Sequence, residues 1–264
     1  MPDLPHSLSG RRAVDIASSA ASKAGELLVA HFGSVKQVKR KSQGNLVTEV
    51  DFLSEKLILD LLKKEYPDFG ILSEESNSAT PINGYAWVVD PLDGTNNYTF
   101  GIPFFCVNIA LVLDEAVLLG VTYDPLRREL FKAEVGEGAF LNESPIQVST
   151  ISSLRESLIG LDLGYNHSLG KDMLETVSRL WGQVHCFRLL GSSSLGLAYV
   201  ACGRISLYCH RYLFPWDIAS GLLLVREAGG EVVDWQGKKA NFSQTELIAS
   251  NLELQHEFLQ HFLK

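Results

Sequence analysis

The segment Trp87-Val88-Val89-Asp90-Pro91-Leu92-Asp93-Gly94-Thr95-Asn96-Asn97 puts two acids three positions apart, directly after an apolar run. Trp87 to Val89 predict a buried strand that delivers Asp90 at its C-terminal end, where a free carboxylate is costly unless paired or metal-bound. Pro91 has no N–H to donate, so the ladder is expected to stop there. Gly94-Thr95 reads as a helix N-terminus, whose free N–H groups and dipole suit a phosphate oxygen. Two carboxylates on such a turn can converge on one hard cation. Magnesium takes oxygen ligands and keeps several waters, so two or three carboxylates plus a substrate phosphate suffice. The same residue types also build ordinary surface turns; the preceding buried strand and the following helix start argue for chemistry.

Two further acids gain meaning beside this loop. Glu74, in Leu72-Ser73-Glu74-Glu75-Ser76, lies about one strand upstream of Asp90. Asp217, in Pro215-Trp216-Asp217-Ile218-Ala219, opens an apolar helix and is expected as its N-cap, with the second carboxylate oxygen left for a metal. The D-x-D-x-T pattern of haloacid dehalogenase-like phosphatases is one residue shorter than D-x-x-D-G-T, which counts against an aspartyl nucleophile.

The elements that must position these groups follow from periodicity. Helical spacing predicts a helix over Arg12–Phe32 and a second from Thr48 to about Tyr66, opened by a Thr48/Asp51 capping box. Strands are expected at Tyr85–Asp90, Phe104–Leu113, Ala116–Tyr123 and Glu129–Ala133. Beyond Asn142, strands near Ser157–Leu161, Val184–Leu189, Ile205–Cys209, Val232–Asp234 and Leu247–Ala249 alternate with helices over Lys171–Trp181, Ser192–Cys202, Asp217–Ala228 and from Asn251 onward. The fold class is α/β, with an α+β N-terminal half at 1–143 carrying most of the acids and an α/β half at 144–264 completing the site.

The chain has 264 residues, 46% hydrophobic and 20% charged, enough for a substantial core. With 31 acidic and 23 basic residues, its net charge is −8, and no basic stripe favours nucleic acid. The cluster Lys36 to Lys41 reads as a solvated loop or edge. Cys106, Cys186, Cys202 and Cys209 form no C-x-x-C pair, and the N-terminus has no apolar signal region, so a reducing cytoplasm is expected. No apolar run approaches membrane-spanning length.

Together, WVVDPLDGTNNY at Trp87–Tyr98, WDIASGLLLVREAGG at Trp216–Gly230, GNLVTEVD at Gly44–Asp51, LSEES at Leu72–Ser76 and Gly191-Ser192-Ser193 resemble the inositol monophosphatase family, in family order and over nearly the whole chain. The resemblance implies a layered α-β-α-β-α sugar-phosphatase fold, a homodimer, and hydrolysis of a small sugar or polyol phosphate such as inositol-1-phosphate. It implies two to three Mg2+ ions, with Mn2+ a possible substitute, and lithium sensitivity. Glu74, Asp90 and the Leu92 carbonyl would hold one ion, and Asp90, Asp93 and Asp217 the second. Thr95 and Glu74 would orient water, with Asp93 part of the catalytic group. Gly94, Thr95, Gly191, Ser192, Ser193, His210 and Arg211 would meet substrate, and Lys41 and Asp51 would stand at the metal-site periphery. The chain departs from the pattern at Asn45, where an Asp is usual, and at His210-Arg211, near a usual Glu. A cationic group there would suit a second anion, so fructose 1,6-bisphosphate, histidinol phosphate and 3′-phosphoadenosine 5′-phosphate are alternative substrates. A non-catalytic phosphate-ligand binder is the remote alternative.

Overall fold

The computed structural model describes residues 4–34, 37–42, 44–76 and 83–262. Helix α1 (Ala13–His31) is followed by a ribbon of β1 (Val38–Ser42) and β2 (Asn45–Thr48), then by α2 (Glu49–Glu65). Lys36 lies outside the described residues; Lys39 and Arg40 are exposed on β1. Thr48 caps α2, and Asp51 returns the bond by accepting from the Thr48 N–H at 2.9 Å, so the predicted capping box is present.

A seven-stranded sheet comprises β3 (Gly70–Ser73), β4 (Tyr85–Asp93), β5 (Cys106–Leu113), β6 (Ala116–Asp124), β7 (Glu129–Glu134), β8 (Gly138–Leu141) and β9 (Ser144–Pro145), paired in that order. The short helix α3 (Thr95–Thr99) follows β4. The C-terminal part adds β10 (Leu158–Leu161), α4 (His167–Leu180), β11 (Cys186–Leu189), α5 (Ser193–Ala201), β12 (Leu207–His210), α6 (Pro215–Glu227), β13 (Glu231–Val233), β14 (Leu247–Ser250) and α7 (Leu252–Gln260). Its five strands run in the order β11-β10-β12-β14-β13.

The cores give the layers. Trp87 and Val89 of β4 pack with α1 and α2, whereas Ala86 and Val88 pack with α5 and α6, as the two-residue period of a strand requires. The second sheet turns Tyr208 and Ala249 to that same α5–α6 layer, and Leu207 and Ile248 to α4 and α7. The result is the expected α-β-α-β-α arrangement, with one core spanning both sheets through the central helices. Strands buried on both faces explain why β4 and β5 read as unbroken apolar runs.

Pro91 does not end β4 as its chemistry predicts. The ladder with β5 passes from Asp90↔Asn108 to Asp93↔Cys106, three residues against two. This bulge absorbs the missing Pro91 donor and shifts the pleat by one residue. Asn108 and Cys106 share a face of β5, so their partners Asp90 and Asp93 are turned to one face as well. In a regular strand, positions i and i+3 would point to opposite faces.

Candidate active site

Parallel pairing of β3 with β4 ends at Ser73↔Val89, and the Glu74 N–H bonds the Val89 carbonyl at 3.2 Å, which sets Glu74 beside Asp90. Asp217 arrives from the opposite side on α6. It is the third residue of that helix and not its N-cap; Phe214 holds the cap position, because Pro215 supplies the fixed φ of a first helical turn. Asp217 Oδ2 accepts from the Phe214 N–H at 2.8 Å, which leaves the other oxygen uncommitted.

Asp90, Asp93 and Asp217 bring carboxylate oxygens within 4.8 Å of one another, and they form the single such group of potential metal ligands among the described residues. Burial, then the charges of Glu74, Asp93 and Asp217, push the Asp90 carboxyl well above its usual range. Burial followed by Asp93 and Glu74 does the same to Asp217. Asp93 is also raised by burial, but less freely, because it accepts 2.7 Å bonds from the Ser192 hydroxyl and the Ser194 N–H. Three acids drawn together out of water with no cation among them fit a divalent metal, whose charge removes the penalty.

Glu74 lines the cleft and is bridged by Lys41 Nζ at 2.9 Å; the same ammonium reaches Glu75 at 2.6 Å. The Thr95 hydroxyl stands 3.1 Å from both Asp51 Oδ1 and the Leu92 carbonyl oxygen. Asp51 is fully buried, and burial raises its pKa to about 6 against the bonds from Thr48. Gly94 adopts φ 94°, a conformation that favours glycine, and a Cβ there would stand 3.0 Å from the Phe104 carbonyl. Gly94 and Thr95 both line the cleft at this turn.

The cleft, ≈230 Å³, is closed on its far side by the C-terminal ends of β10, β11 and β12. These strands are mutually parallel, with Leu161 opposite both Leu189 and Cys209, so Asp162, Gly191 and His210 follow at one edge. Binding at the carboxyl edge of parallel strands is a general property of α/β sheets. Gly191 and Ser193 line the cleft, while Ser192 acts from behind through Asp93. Larger clefts exist, such as one of ≈1040 Å³ beside α7, but among the described residues none brings three acids within such a distance.

Arg211 does not join the cleft lining. Its guanidinium sits 3.8 Å over the Trp235 ring and 3.3 Å from Glu246, so its charge is already engaged on the outer side of the sheet. Alternation along the chain places His210 inward and Arg211 outward. The expected substrate contact through Arg211 is therefore withdrawn. Asn45 lines the cleft at the position where the sequence departs from its usual Asp.

Sequence reasoning passed over Asp162, whose carboxylate accepts from the Leu190 and Gly191 N–H groups at 2.9 and 2.6 Å and from the Tyr208 hydroxyl at 2.8 Å. The signal that exposed Asp90, an acid directly after an apolar strand, was present here too. Ser194 and Cys106, packed against Asp93, carry no comparable signal because their contacts are long-range.

The family model for the inositol monophosphatase family matches residues 11–264. The chain belongs to the inositol monophosphatase family. Among its relatives, a Xylella fastidiosa protein described as Nus factor SuhB is 40% identical over 259 residues, covering 94% of this chain and 93% of the relative. Inositol monophosphatase 1 of Solanum lycopersicum is 38% identical over 254 residues, covering 93% and 92%. The structure of the extragenic suppressor protein suhB from Bartonella henselae superposes with a TM-score of 0.88 at 37% identity, covering 94% of this chain and 96% of that one. Inositol monophosphatase family members are metal-dependent phosphatases, so this chain is a phosphoric monoester hydrolase.

The family assignment gives the Ser192–Asp93 bond a measurable consequence. Groups that hold a metal ligand in place are typically worth about 10–100-fold in metal affinity or activity. With Asp93 as a candidate metal ligand, Ser192→Ala is expected to raise the divalent-metal concentration needed for half-maximal activity by about that factor, with the saturated rate falling less. An unchanged metal requirement in a titration would remove Ser192 from the site.

Proposed function

We propose that the chain hydrolyses a small sugar or polyol phosphate, with inositol-1-phosphate the first candidate, in a magnesium-dependent reaction. The observation that supports this most directly is the convergence of Asp90, Asp93 and Asp217 within 4.8 Å at the mouth of a glycine-opened turn. Glu74, Asp90 and the Leu92 carbonyl would hold one ion, and Asp90, Asp93 and Asp217 a second; a third would share Glu74, and Mn2+ would substitute. Bound there, the cations supply positive charge that neutralises phosphoryl oxygens and acidifies water.

The chain's own groups do the rest. The Gly94 and Thr95 N–H groups bind phosphate oxygens. The Thr95 hydroxyl donates its hydrogen bond to Asp51 or to the Leu92 carbonyl, which leaves its lone pairs to accept from a water molecule. Asp51, whose carboxyl burial pushes above its usual range, stands at the end of that bond to receive a proton. Glu74, one oxygen of which Lys41 holds, orients the same water with the other. The far wall, with Asp162 and His210, receives the alcohol portion. No side chain is expected to form a covalent phosphoenzyme.

Fructose 1,6-bisphosphate stays the alternative, since a Thermotoga maritima relative described as fructose-1,6-bisphosphatase/inositol-1-monophosphatase is 38% identical over 230 residues; with Arg211 turned away and His210 neutral, neither of these two side chains supplies a cation for its second phosphate. Burial lowers the pKa of His210 to about 3. Homodimer formation, lithium inhibition and a cytoplasmic setting belong to the same proposal through the family resemblance. Four cysteines free of disulfides agree with that setting, and no described helix is long and apolar enough to cross a membrane. The test is phosphate release from a panel of esters with magnesium, with chelator and with lithium. Magnesium-dependent, lithium-suppressed release concentrated on inositol-1-phosphate is expected. Equal release with chelator would overturn the metal mechanism.

A further inference from the structure

A row of polar side chains crosses the face of the large sheet that α6 covers. Asp90 of β4 is paired with Asn108 of β5, and Asn108 with Thr122 of β6, so the three stand side by side on one face. That face is otherwise packed with Ala86, Val88, Cys106 and Ala110 against α5 and α6. Asn108 and Thr122 are buried, and so is Ser220 of α6. Polar groups in such a layer are costly unless every one of them is bonded.

Their bonds form a chain with one direction. The Asn108 Nδ2–H donates to the Trp216 carbonyl, which can only accept, so the amide orientation is set and Oδ1 is left for Thr122. The Thr122 hydroxyl donates to that oxygen at 2.7 Å, and the Ser220 hydroxyl, 2.9 Å from Thr122 Oγ1, must then donate to Thr122. The order is Ser220 to Thr122 to Asn108 to Trp216. The Trp216 carbonyl belongs to the peptide that leads into Asp217, and the N–H of the same peptide bonds the Phe214 carbonyl at 3.0 Å. Both polar ends of that peptide are thus held. A Cβ on Gly120 would stand 2.7 Å from Ser220 Cα, so the α6 backbone already rests directly on β6.

We infer that Asn108 is a positioning residue for the cation that Asp217 would hold: standing in the same row as Asp90, it fixes the Trp216–Asp217 peptide and so sets the distance at which the acid of α6 meets Asp90 and Asp93 of the sheet. The inference rests on the metal-dependent phosphatase reading above. Asn108 does not line the cleft and acts through Asp217. The cation assigned to Glu74, Asp90 and the Leu92 carbonyl draws its ligands from β4 and the end of β3, which do not depend on where α6 sits. Loss of the Asn108 bond should therefore weaken one ion and spare the other.

The experiment titrates Mn2+ into metal-free protein and follows free and bound ion by electron paramagnetic resonance, for the unaltered chain, Asn108→Leu, Thr122→Val and the double variant. Asp217→Asn, which keeps an oxygen to accept the Phe214 N–H, marks the part of the isotherm that depends on Asp217. Asn108→Leu is expected to weaken that part about tenfold and to leave the rest within about twofold, the lower end of what groups behind a metal ligand contribute. Thr122→Val, which frees the Asn108 amide to turn, should weaken it about threefold, and the double variant no further than Asn108→Leu, because the two act along one chain. The Mg2+ concentration for half-maximal phosphate release should rise by the same factors. Melting in chelator shows which variants are folded; if Asn108→Leu is not, Thr122→Val decides. Equal weakening of all the bound Mn2+, no weakening in either single variant, or additive loss in the double variant overturns the inference. An unaltered chain that binds no Mn2+, or an isotherm unmoved in Asp217→Asn, overturns the metal-site reading instead.

Discussion

Asp90→Asn is expected to abolish phosphate release while raising the melting temperature of the metal-free protein. The two effects share one cause. Asp90 is 1% exposed, and burial together with Glu74, Asp93 and Asp217 opposes its charge. Asparagine keeps the shape and the Oδ1 that accepts the Leu92 N–H at 3.1 Å, so the bulge in β4 survives. It removes one negative charge from a cluster that has no metal to balance it. A relief of about 1–2 kcal/mol would raise the melting temperature of a chain this long by several degrees. Activity moves the other way, because in the proposed assignment Asp90 would serve both cation sites. Metal charge contributes several kcal/mol to the transition state, and each 1.36 kcal/mol is tenfold, so kcat/KM should fall by at least about a thousandfold. Calorimetry in chelator and phosphate release in excess magnesium check the two halves. A variant that is inactive but destabilised would mean that Asp90 is a structural acid, and an active one would remove it from the metal site.

Much of this site was legible because local chemistry fixed it. The capping box of α2 needed only Thr48 and Asp51, and the apolar run before Asp90 announced a strand buried on both faces. The bulge was not legible. Pro91 forbids one hydrogen bond, but whether a ladder stops or steps around it depends on β5, which lies on the other side of α3 in the chain. Asp217 was misplaced within its turn because Asp and Pro both suit helix starts, and here Pro215 set the frame. Arg211 looked like an anion ligand only while its face of β12 was unknown. One residue of alternation sends it to Trp235 and to Glu246, the latter 35 positions away, on no signal the sequence contains.

Stripped of metal, the protein should lose stability as pH rises from about 6.5 to about 8, and magnesium should flatten that loss. The sign follows from which state holds protons. Unfolded carboxyls ionise near pH 4 and are fully charged throughout this window. In the folded chain Glu75 is raised to about 7, by burial and then by Glu74, while the coupled acids Asp90, Asp93 and Asp217 are raised by burial and one another. The folded state therefore binds more protons than the unfolded one, and stability must fall as pH climbs. His210 acts in the opposite sense, because its folded pKa of about 3 lies below the unfolded value; the unfolded imidazole holds only about half a proton at pH 6.5 and loses it by about 7.5, so its contribution is smaller than that of the acids and fades within the window. Lys41 stays charged throughout, since Glu74 and Glu75 outweigh the desolvation that would lower it. Each extra proton held by the folded state is worth about 1.4 kcal/mol per pH unit, so one to two of them should lower the melting temperature by about 5 °C or more across the window. Magnesium bound to the acids would make Asp90, Asp93 and Asp217 ionised in the folded state as well, so their part of the proton difference vanishes and the slope shrinks to what Glu75 contributes. At about a hundredfold excess over its dissociation constant it adds about 2.7 kcal/mol, and the gain should be larger at pH 8 than at pH 6.5. Melting curves at several pH values, with chelator and with magnesium, decide the matter. A metal-free melting temperature that is flat or rises through the window would mean that the acids of the cleft are not held together against their charge, and the argument for a metal site from burial would fail with it.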